Sequence, residues 1–397
     1  MIRDLRIILR NAGNDLLRGI IVMLFVGAST LLMNVSLSRY TYQEYINSLV
    51  RDCGLYDSYM YAAPPDKSAY FRVDSPTDLR AAALSYVQDG LAELMAEGVV
   101  EAFYGAASFN GPVSDDPDER AYYLLYPGEF LRDISFPTPR GVWFDKLSQN
   151  EPDNTCPAAV IGSGLAKRYK PGGMYKFRGL ATEVRIIGVL SDNAMVLKCG
   201  AGGNGTDLNT MFRSGNDVII VCADDISIPN GSGAALIKAS GQGQQRVLEC
   251  ISDIVYTFTF RELADTAYEN NRLISEMQSV VFVLMMVVCI AGVSSSNLMK
   301  TIQCIKKYAV YFMCGMDWRH CIRISAIEGA VGLAIPALMG YAAFLRWCAE
   351  QDYSALRVTS ANPLLSAGFV ICIYALTSLV PLIDIKNTSP VRIISGS

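Results

Sequence analysis

Residues 278 to 299 read QSVVFVLMMVVCIAGVSSSNLM and contain no charged side chain over 22 positions. A second uncharged run, GIIVMLFVGASTLLMNVSL, occupies residues 19 to 37. A helix rises about 1.5 Å per residue and needs roughly 20 apolar residues to cross a bilayer, so both runs are long enough. Because only 18% of the chain is charged, these runs favour membrane spans over buried helices of a soluble protein.

Two more apolar runs lie near the C-terminal end. Residues 329 to 345 reach span length when the run is extended back to Ile324 past Glu328, and residues 363 to 383 hold no charge. The sequence therefore predicts an α-helical polytopic membrane protein with four transmembrane helices in a one-plus-three layout. The predicted spans are 19–37, 278–299, 324–346 and 363–383.

Basic residues predict the orientation of these spans. The first run exceeds the apolar core of a signal peptide, which is roughly 7 to 15 residues long, so we expect it to remain in the protein. Residues 1–18 and 300–323 are rich in Lys and Arg, which places both segments in the cytoplasm. Four spans then return the tail, 384–397, to the cytoplasm and leave 347–362 as a short outer loop. Arg3, Arg6 and Arg10 share one face of an amphipathic helix expected to lie on the inner membrane surface.

Residues 38–277 are predicted to form a large extracytoplasmic α+β domain. Between residues 39 and 277 there are 31 acidic and 21 basic side chains, a net charge of −10. This charge argues against nucleic acid as a partner. Strand patterns at 55–62, 99–104, 121–126, 184–190 and 217–222 and a helical pattern at 77–97 predict the mixed fold, and the glycine-rich segment 200–215 predicts a loop.

The domain is expected to stand on two helical stalks, at about 38–50 and 261–277. Apolar side chains recur at helical spacing in both segments and mark the face that each helix would bury. The first stalk contributes Tyr42, Ile46, Leu49 and Val50, and the second contributes Leu263, Ala267, Ile274 and Met277.

Motifs for catalysis are mostly missing from the sequence. Carboxylate pairs such as Asp115 and Asp116 leave a glycosidase-like role open, but solvated loop acids are favoured. The single histidine, His320, lies in a segment predicted to be cytoplasmic, so the outer domain cannot hold a Ser-His-Asp triad or an H-E-x-x-H zinc site. No Gly-Lys pair exists, which excludes a phosphate-binding loop of the G-x-x-x-x-G-K-[ST] type. We therefore expect no enzyme activity, cofactor or metal in this chain. The 11 cysteines leave disulfides open, and mostly free thiols are favoured.

The cytoplasmic segment between the second and third spans predicts a helical elbow. Residues 301–313 fit a short helix that ends at Gly315, a natural left-handed cap, and Asp317 can cap the helix that follows. The aromatic side chains here fit either an interfacial belt or a docking site for a soluble partner. The elbow candidates are Lys307, Tyr308, Tyr311, Phe312, Met313, Gly315, Met316, Asp317 and Trp318.

The elbow sequence resembles a known family. Residues 307–316, KYAVYFMCGM, followed by Glu328-Gly329, look like the E-I-G-I-L-R-A-L-G-A segment and downstream Glu-Gly of MacB/FtsX/LolC-type ABC transporter permeases. Lys307 and Phe312 stand where that segment has an acidic residue and an arginine. Further similar motifs follow the family's order along the whole chain: residues 8–19, 141–144 (GVWF), 158–162 (AAVIG), 165–167 (LAK), 187–190 (IGVL), Pro381 and 389–391 (SPV).

The resemblance implies a permease subunit in a bacterial cytoplasmic (inner) membrane. In that family, paired permeases bind cytoplasmic ABC ATPases through the elbow, and ATP-driven closure moves the outer domains, a process called mechanotransmission. ATP and Mg would then be bound by a separate ATPase chain. A second permease, as a homodimer or heterodimer, the lipid bilayer and an extracytoplasmic protein are the other expected partners.

Three functions are compatible with the sequence. The first is export or extraction of peptides, lipoproteins or similar substrates by the complex. The second is an FtsX-like regulator that moves no substrate and activates cell-wall hydrolases, although FtsX-like outer domains are usually much smaller. The third is a membrane-anchored receptor or binding module without an ATPase.

Overall fold

The computed structural model divides the chain into two compact units. The helical unit comprises Met1–Tyr42 and Asn271–Ser397, and the sheet unit comprises Gln43–Asn270. The backbone is described for residues 16–63, 76–116, 119–147, 156–192, 194–198, 208–222, 232–239, 241–251, 255–350 and 356–387. Both boundaries between the units fall inside long helices.

The described chain contains both helices and strands, and its last three elements are long helices. The helices are α1 (Leu16–Asp52), α2 (Leu55–Ser58), α3 (Pro76–Ala96), α4 (Gly128–Asp133), α5 (Leu208–Met211), α6 (Gln242–Ile251), α7 (Phe260–Met313), α8 (Trp318–Glu350) and α9 (Ala361–Asn387). The strands are β1 (Tyr59–Ala63), β2 (Ala102–Pro112), β3 (Arg120–Tyr126), β4 (Arg140–Gly141), β5 (Ala158–Ile161), β6 (Met174–Tyr175), β7 (Val184–Val189), β8 (Met195–Leu197), β9 (Phe212–Ser214), β10 (Val218–Cys222), β11 (Ser232–Lys238) and β12 (Tyr256–Thr259).

In the part of the chain that the structure describes, three helices are long and apolar enough to cross a membrane. These segments are Val22–Asp52, Phe260–Asn297 and Arg323–Ala349, and the most apolar 18-residue window lies in the second. The apolar part of α9 that the structure describes, Ala361–Thr377, is shorter. The length and composition of these helices fit the membrane spans predicted for the first three runs. The count of four spans stays a prediction.

Helix α7 corrects one predicted boundary. The sequence divided this region into a stalk, a span and a separate short helix at 301–313, but the structure has one helix of 54 residues. The segment contains no proline and a single glycine, Gly292, so the backbone has no residue that must end the helix. Asn270 and the serines at 294–296 are tolerated inside it. The elbow therefore begins at the end of α7 and not at residue 300.

The helical unit packs its four long helices around one apolar core. Each helix contributes two buried side chains: Val26 and Met33 from α1, Cys289 and Val293 from α7, Leu333 and Ala337 from α8, Phe369 and Ile373 from α9. Lipid chains are as apolar as these side chains, so close packing must hold such helices together in a bilayer. Helices α1 and α8 approach closely at Gly340, where a Cβ atom would lie 2.3 Å from the carbonyl oxygen of Gly27.

A buried polar network also connects α1 with α9. The Asn362 side-chain nitrogen donates to the Asn34 side-chain oxygen at 3.1 Å and to the Ser38 hydroxyl at 3.1 Å. The Asn34 nitrogen in turn donates to the Ser366 hydroxyl at 2.8 Å. Both asparagines are fully buried, so these bonds satisfy groups that would be costly to leave unpaired in an apolar surrounding.

Ten described strands of the sheet unit form one mixed sheet. Its order is β12, β1, β11, β2, β3, β10, β5, β7, β4, with β6 also paired to β7. The pairs β3/β10 and β5/β7 are parallel, and the other pairs in the sheet are antiparallel. Strands β8 and β9 form a separate two-stranded sheet. Helices α3 and α6 pack on the main sheet through Val87, Leu91, Leu94, Val247 and Ile251.

Two local predictions for the sheet unit need correction. The strand-like segment 55–62 begins with the helical turn α2, and the strand starts at Tyr59. The glycine-rich segment 200–215 was expected to be a loop, yet residues 208–214 form α5 and β9. Met211 and Phe212 are buried there, and tertiary packing overrides the loop-forming composition. Residues 199–207 lie outside the described part of the chain.

A charged cluster at the start of strand β1 fixes α4 to the sheet. The Lys238 ammonium lies 2.6 Å from the Asp133 carboxylate, and the Tyr59 hydroxyl donates to the same oxygen at 2.9 Å. Burial acts to raise the pKa of Asp133, but the hydrogen bonds from Lys238 and Tyr59 outweigh it and hold that pKa below the usual value of an aspartate. Burial and the hydrogen bond to Asp133 raise the pKa of Tyr59. The cluster therefore keeps a carboxylate ionised next to a neutral phenol.

Candidate functional site

The elbow between α7 and α8 is built by two helix caps. Gly315 has φ of 88°, in the left-handed region that glycine adopts without strain. The Met316 amide donates to the Tyr311 carbonyl at 3.0 Å, which is the 6→1 bond of a Schellman motif. Asp317 then caps α8, because its carboxylate accepts from the Arg319 amide at 3.3 Å. The capping geometry predicted for Gly315 and Asp317 is confirmed.

Some elbow side chains form an exposed surface. Val310 is 50% exposed and Met313 is 61% exposed, and Cys314 and Asp317 are also exposed. Tyr311 and Met316 are half-buried. The side chains of Lys307, Tyr308, Phe312 and Trp318 lie outside the described part of the structure. The elbow therefore presents apolar and acidic groups next to one another at a sharp turn, and a docking role for them stays a prediction.

The predicted membrane-surface helix falls outside the described residues. Arg3, Arg6 and Arg10 all precede Leu16, where α1 begins. Their role as a basic face therefore stays a prediction.

The predicted stalk face is buried in part. Tyr42, Ile46, Leu49 and Val50 of α1 are each no more than 6% exposed, and Leu263 and Ala267 of α7 are 2% and 5% exposed. Ile274 and Met277, which were predicted to continue the buried face of α7, are 42% and 73% exposed. These two residues lie beyond residue 270, where the sheet unit ends. The buried face of α7 in this unit therefore extends only as far as Ala267.

A polar cluster that the sequence did not predict joins α7 to the segment after α1. The Tyr56 hydroxyl donates to the Asp265 carboxylate at 3.1 Å, and Arg261 forms an ion pair with Asp57. The guanidinium carbons of Arg51 and Arg261 lie 5.0 and 5.1 Å from the centre of the Tyr56 ring. We call these five residues the junction cluster. It fixes the start of α7 against the end of α1 within the sheet unit.

The junction cluster has no local sequence signature. Asp57 and Arg261 are separated by 204 positions, so no spacing rule brings them together. Only the pairing of β1 with β12, which places Met60 opposite Thr259, brings the two segments close. Charged residues near both stalks were visible in the sequence, but their pairing was not.

Replacing Tyr56 by alanine should weaken this junction. The change removes two cation–π contacts, each worth about 0.5 to 1 kcal/mol at exposed sites, and one hydrogen bond. We expect faster amide hydrogen exchange in residues 43–52 and 260–267, measured by mass spectrometry on the full chain. The matched control is Tyr268→Ala, because Tyr268 is 55% exposed on α7. Equal exchange in the two variants would contradict a joining role for Tyr56.

The described cysteines belong to no metal-binding cluster among the described residues. Free thiols in this part of the chain include Cys53, Cys156, Cys250, Cys289, Cys314, Cys348 and Cys372. Burial, followed by the charge of Asp52, raises the pKa of Cys53 to about 12, so this thiol is unreactive at neutral pH. Among the described residues, no group of three or more His, Cys, Asp or Glu could hold a metal ion.

Comparison with known proteins gives similarities of fold only. No family model and no curated protein matches the chain. The periplasmic region of MacB from Actinobacillus actinomycetemcomitans is 12% identical with a TM-score of 0.34, and the match covers 57% of this chain and 97% of that one. The extracellular domain of the noncanonic ABC-type transporter YknZ from Gram-positive bacteria is 12% identical with a TM-score of 0.31, covering 51% and 98%.

A domain of a putative permease protein from Porphyromonas gingivalis is also similar. It is 13% identical with a TM-score of 0.23, and the match covers 51% of this chain and 86% of that one. At these TM-scores the likeness does not assign the chain to a family.

Proposed function

We propose that the chain is the permease subunit of an ABC-type transporter complex and that its ATPase is a separate cytoplasmic protein. The observation that carries the proposal is the elbow: two long helices meet at a turn closed by Gly315 and capped by Asp317. The elbow follows the most apolar span and lies in a segment whose basic residues favour the cytoplasm. An exposed, rigid turn at this position is suited to bind a soluble motor protein.

Helix α7 supplies a mechanical connection for this role. It runs without interruption from Phe260, directly after β12, to Met313 at the elbow. Because every backbone group in a helix is bonded to its own chain, a continuous helix transmits displacement better than a jointed one. In the proposed mechanism, nucleotide-driven movement of the ATPase displaces the elbow and α7 carries the displacement to its start at Phe260. The junction cluster then passes it from the start of α7 to the end of α1.

The surface of α7 fits a lipid bilayer or a second permease copy. Only 11% of its most apolar window is buried inside the structure, compared with 39% in the span of α1. Val280, Leu284 and Val287 are 61%, 60% and 59% exposed. Apolar side chains this exposed require an apolar environment, so the complex is proposed to reside in the bacterial cytoplasmic membrane with both termini cytoplasmic. Export or extraction of peptides or lipoproteins is the proposed activity.

The elbow can be tested by replacing Gly315 with valine. A β-branched residue disfavours φ of 88°, so the cap should distort while α7 and α8 remain long helices. We expect the tagged chain to purify from native membranes with an ATP-hydrolysing protein, and the variant to recover that protein at least several-fold less well. For the unmodified chain and the variant, the amount of co-purified protein is measured by quantitative mass spectrometry and its activity by ATP hydrolysis.

The matched control is Gly54→Val in the sheet unit. Gly54 has φ of 76°, and, as at Gly315, no described atom lies within 4 Å of an added Cβ, so both variants carry similar backbone strain. Only the elbow variant should lose the ATPase. Purification of the unmodified chain without any ATP-binding protein would contradict the transporter proposal and favour a receptor.

A further inference from the structure

The small sheet of β8 and β9 holds two cations against the main sheet. The Tyr126 hydroxyl of β3 donates to the Leu197 carbonyl, which holds β8 at this position. Arg213 of β9 lies opposite Val196, and the Lys198 amide donates to the Met211 carbonyl. In an antiparallel pair with this register, Lys198 and Arg213 are diagonal neighbours on one face. Two positive charges therefore lie close together on the same side of the small sheet.

Both cations face the ring of Tyr122 on β3. The guanidinium carbon of Arg213 lies 4.0 Å from the ring centre, and the Lys198 ammonium nitrogen lies 5.6 Å from it. The Tyr122 hydroxyl is 3.0 Å from the Ser108 hydroxyl of β2. The ring supports the two cations from one side, and two hydroxyl groups lie at its far end.

Neither cation has a carboxylate partner in the described part of the chain. Neither Lys198 nor Arg213 takes part in any of the ion pairs formed between described residues. The Arg213 Nε atom is buried and, among the described residues, has no hydrogen-bond acceptor. Burial, and secondly the charge of Arg213, lower the pKa of Lys198. Two like charges at a half-buried position are costly, and a bound anion would remove that cost.

We propose that Lys198 and Arg213 form a binding site for an oxyanion, either a carboxylate or a phosphate group, on a molecule that the sheet unit engages. Arginine supplies a planar fork of donors that matches two oxyanion oxygens, and lysine adds a mobile point charge. Tyr122 holds the fork in place through its ring. The site residues are distant in sequence from the elbow residues. The proposed anion binding therefore does not depend on the proposed contact with an ATPase.

The test measures thermal unfolding of the full chain in detergent, at equal ionic strength, in chloride, inorganic phosphate or acetate. A ligand that binds only the folded state stabilises it by RT ln(1 + [L]/Kd), so the unfolding midpoint rises with the ligand concentration relative to Kd. We expect phosphate or acetate to raise the midpoint of the unmodified chain, and Lys198→Met and Arg213→Gln each to weaken the apparent affinity at least about tenfold. A response to phosphate alone identifies a phosphate group, and a response to acetate alone identifies a carboxylate.

Control variants separate binding from general salt effects. Phosphate stabilises many proteins by exclusion from their surface, so Lys170→Met and Arg132→Gln, at exposed positions, should respond as the unmodified chain does. Lys198→Arg retains the charge and should retain most of the response. In chloride, Lys198→Met should unfold at the same or a higher temperature, because it removes repulsion from Arg213.

Two results would overturn the site. One is an equal anion response in the unmodified chain and in Lys198→Met. The other is a much lower unfolding temperature of Lys198→Met in chloride, which would show that Lys198 already has a structural counter-charge.

Discussion

Replacing Gly340 by leucine should separate α1 from α8 and destabilise the helical unit by about 3 kcal/mol. A Cβ atom at this position would lie 2.3 Å from the carbonyl oxygen and 3.0 Å from the Cα atom of Gly27. Both contacts are with backbone, which cannot rotate away as a side chain can. The helices must therefore move apart, and the shared core loses its packing.

Cys289 reports on that packing directly. It is fully buried in the core of the helical unit, so thiol labelling of the unmodified chain in detergent should be slow at this position. We expect labelling at Cys289 to become at least tenfold faster in Gly340→Leu. The matched control is Gly332→Leu on the same helix, where no described atom lies within 4 Å of an added Cβ. Equal labelling of Cys289 in the two variants would contradict the tight crossing of α1 and α8.

Replacing Gly162 by alanine should destabilise the sheet unit by about 3 kcal/mol and lower its unfolding midpoint by roughly 6 to 12 °C. The added methyl group would lie 2.0 Å from the Gly215 carbonyl oxygen and 2.1 Å from that of Asn216. The Gly162 amide also donates to the Val218 carbonyl of β10 at 2.8 Å, so the added methyl group cannot be accommodated without straining this hydrogen bond. Strand β5 must shift relative to β10, in the centre of the sheet.

Trp143 provides the fluorescence signal for this measurement. It is 3% exposed in the sheet unit, and its indole nitrogen donates to the Leu131 carbonyl at 2.8 Å. The substitutions Trp318→Phe and Trp347→Phe, made in every variant, leave Trp143 as the only tryptophan. The control is Gly105→Ala in β2, where no described atom lies within 4 Å of an added Cβ, and its midpoint should stay within about 2 °C. Equal unfolding midpoints for Gly162→Ala and Gly105→Ala would contradict the close contact between Gly162 and the backbone of residues 215 and 216.

Features with a local cause could be predicted from the sequence. Uncharged runs predicted the spans because crossing a bilayer requires a fixed length of apolar helix. Gly315 and Asp317 predicted the elbow caps because a left-handed residue and a short carboxylate satisfy helix ends within a few positions. Helix α3 was predicted at 77–97 and is found at Pro76–Ala96, since its apolar spacing is regular.

Features that depend on strand pairing could not be predicted. The junction cluster joins Asp57 and Arg261, which are 204 positions apart, through the pairing of β1 with β12. The Lys198–Arg213 pair depends on the register of β8 with β9, which no local pattern fixes. Gly162 and Gly340 look like any of the 32 glycines, although their surroundings leave no room for a Cβ. Helix α7 differed from the prediction for the opposite reason: a change from apolar to basic composition at residue 300 changes the environment of a helix without ending it.

Cross-linking from the elbow tests the proposed ATPase contact most directly. Cys314 in the elbow and Cys250 on α6 are both exposed and free, so single-cysteine variants that retain one or the other carry equivalent probes in different units. Each variant is labelled in native membranes with a photoactivatable thiol reagent, and captured proteins are identified by mass spectrometry. The proposal predicts that an ATP-binding protein is captured from Cys314 and not from Cys250. Complete labelling of Cys314 without capture of any ATP-binding protein would contradict it.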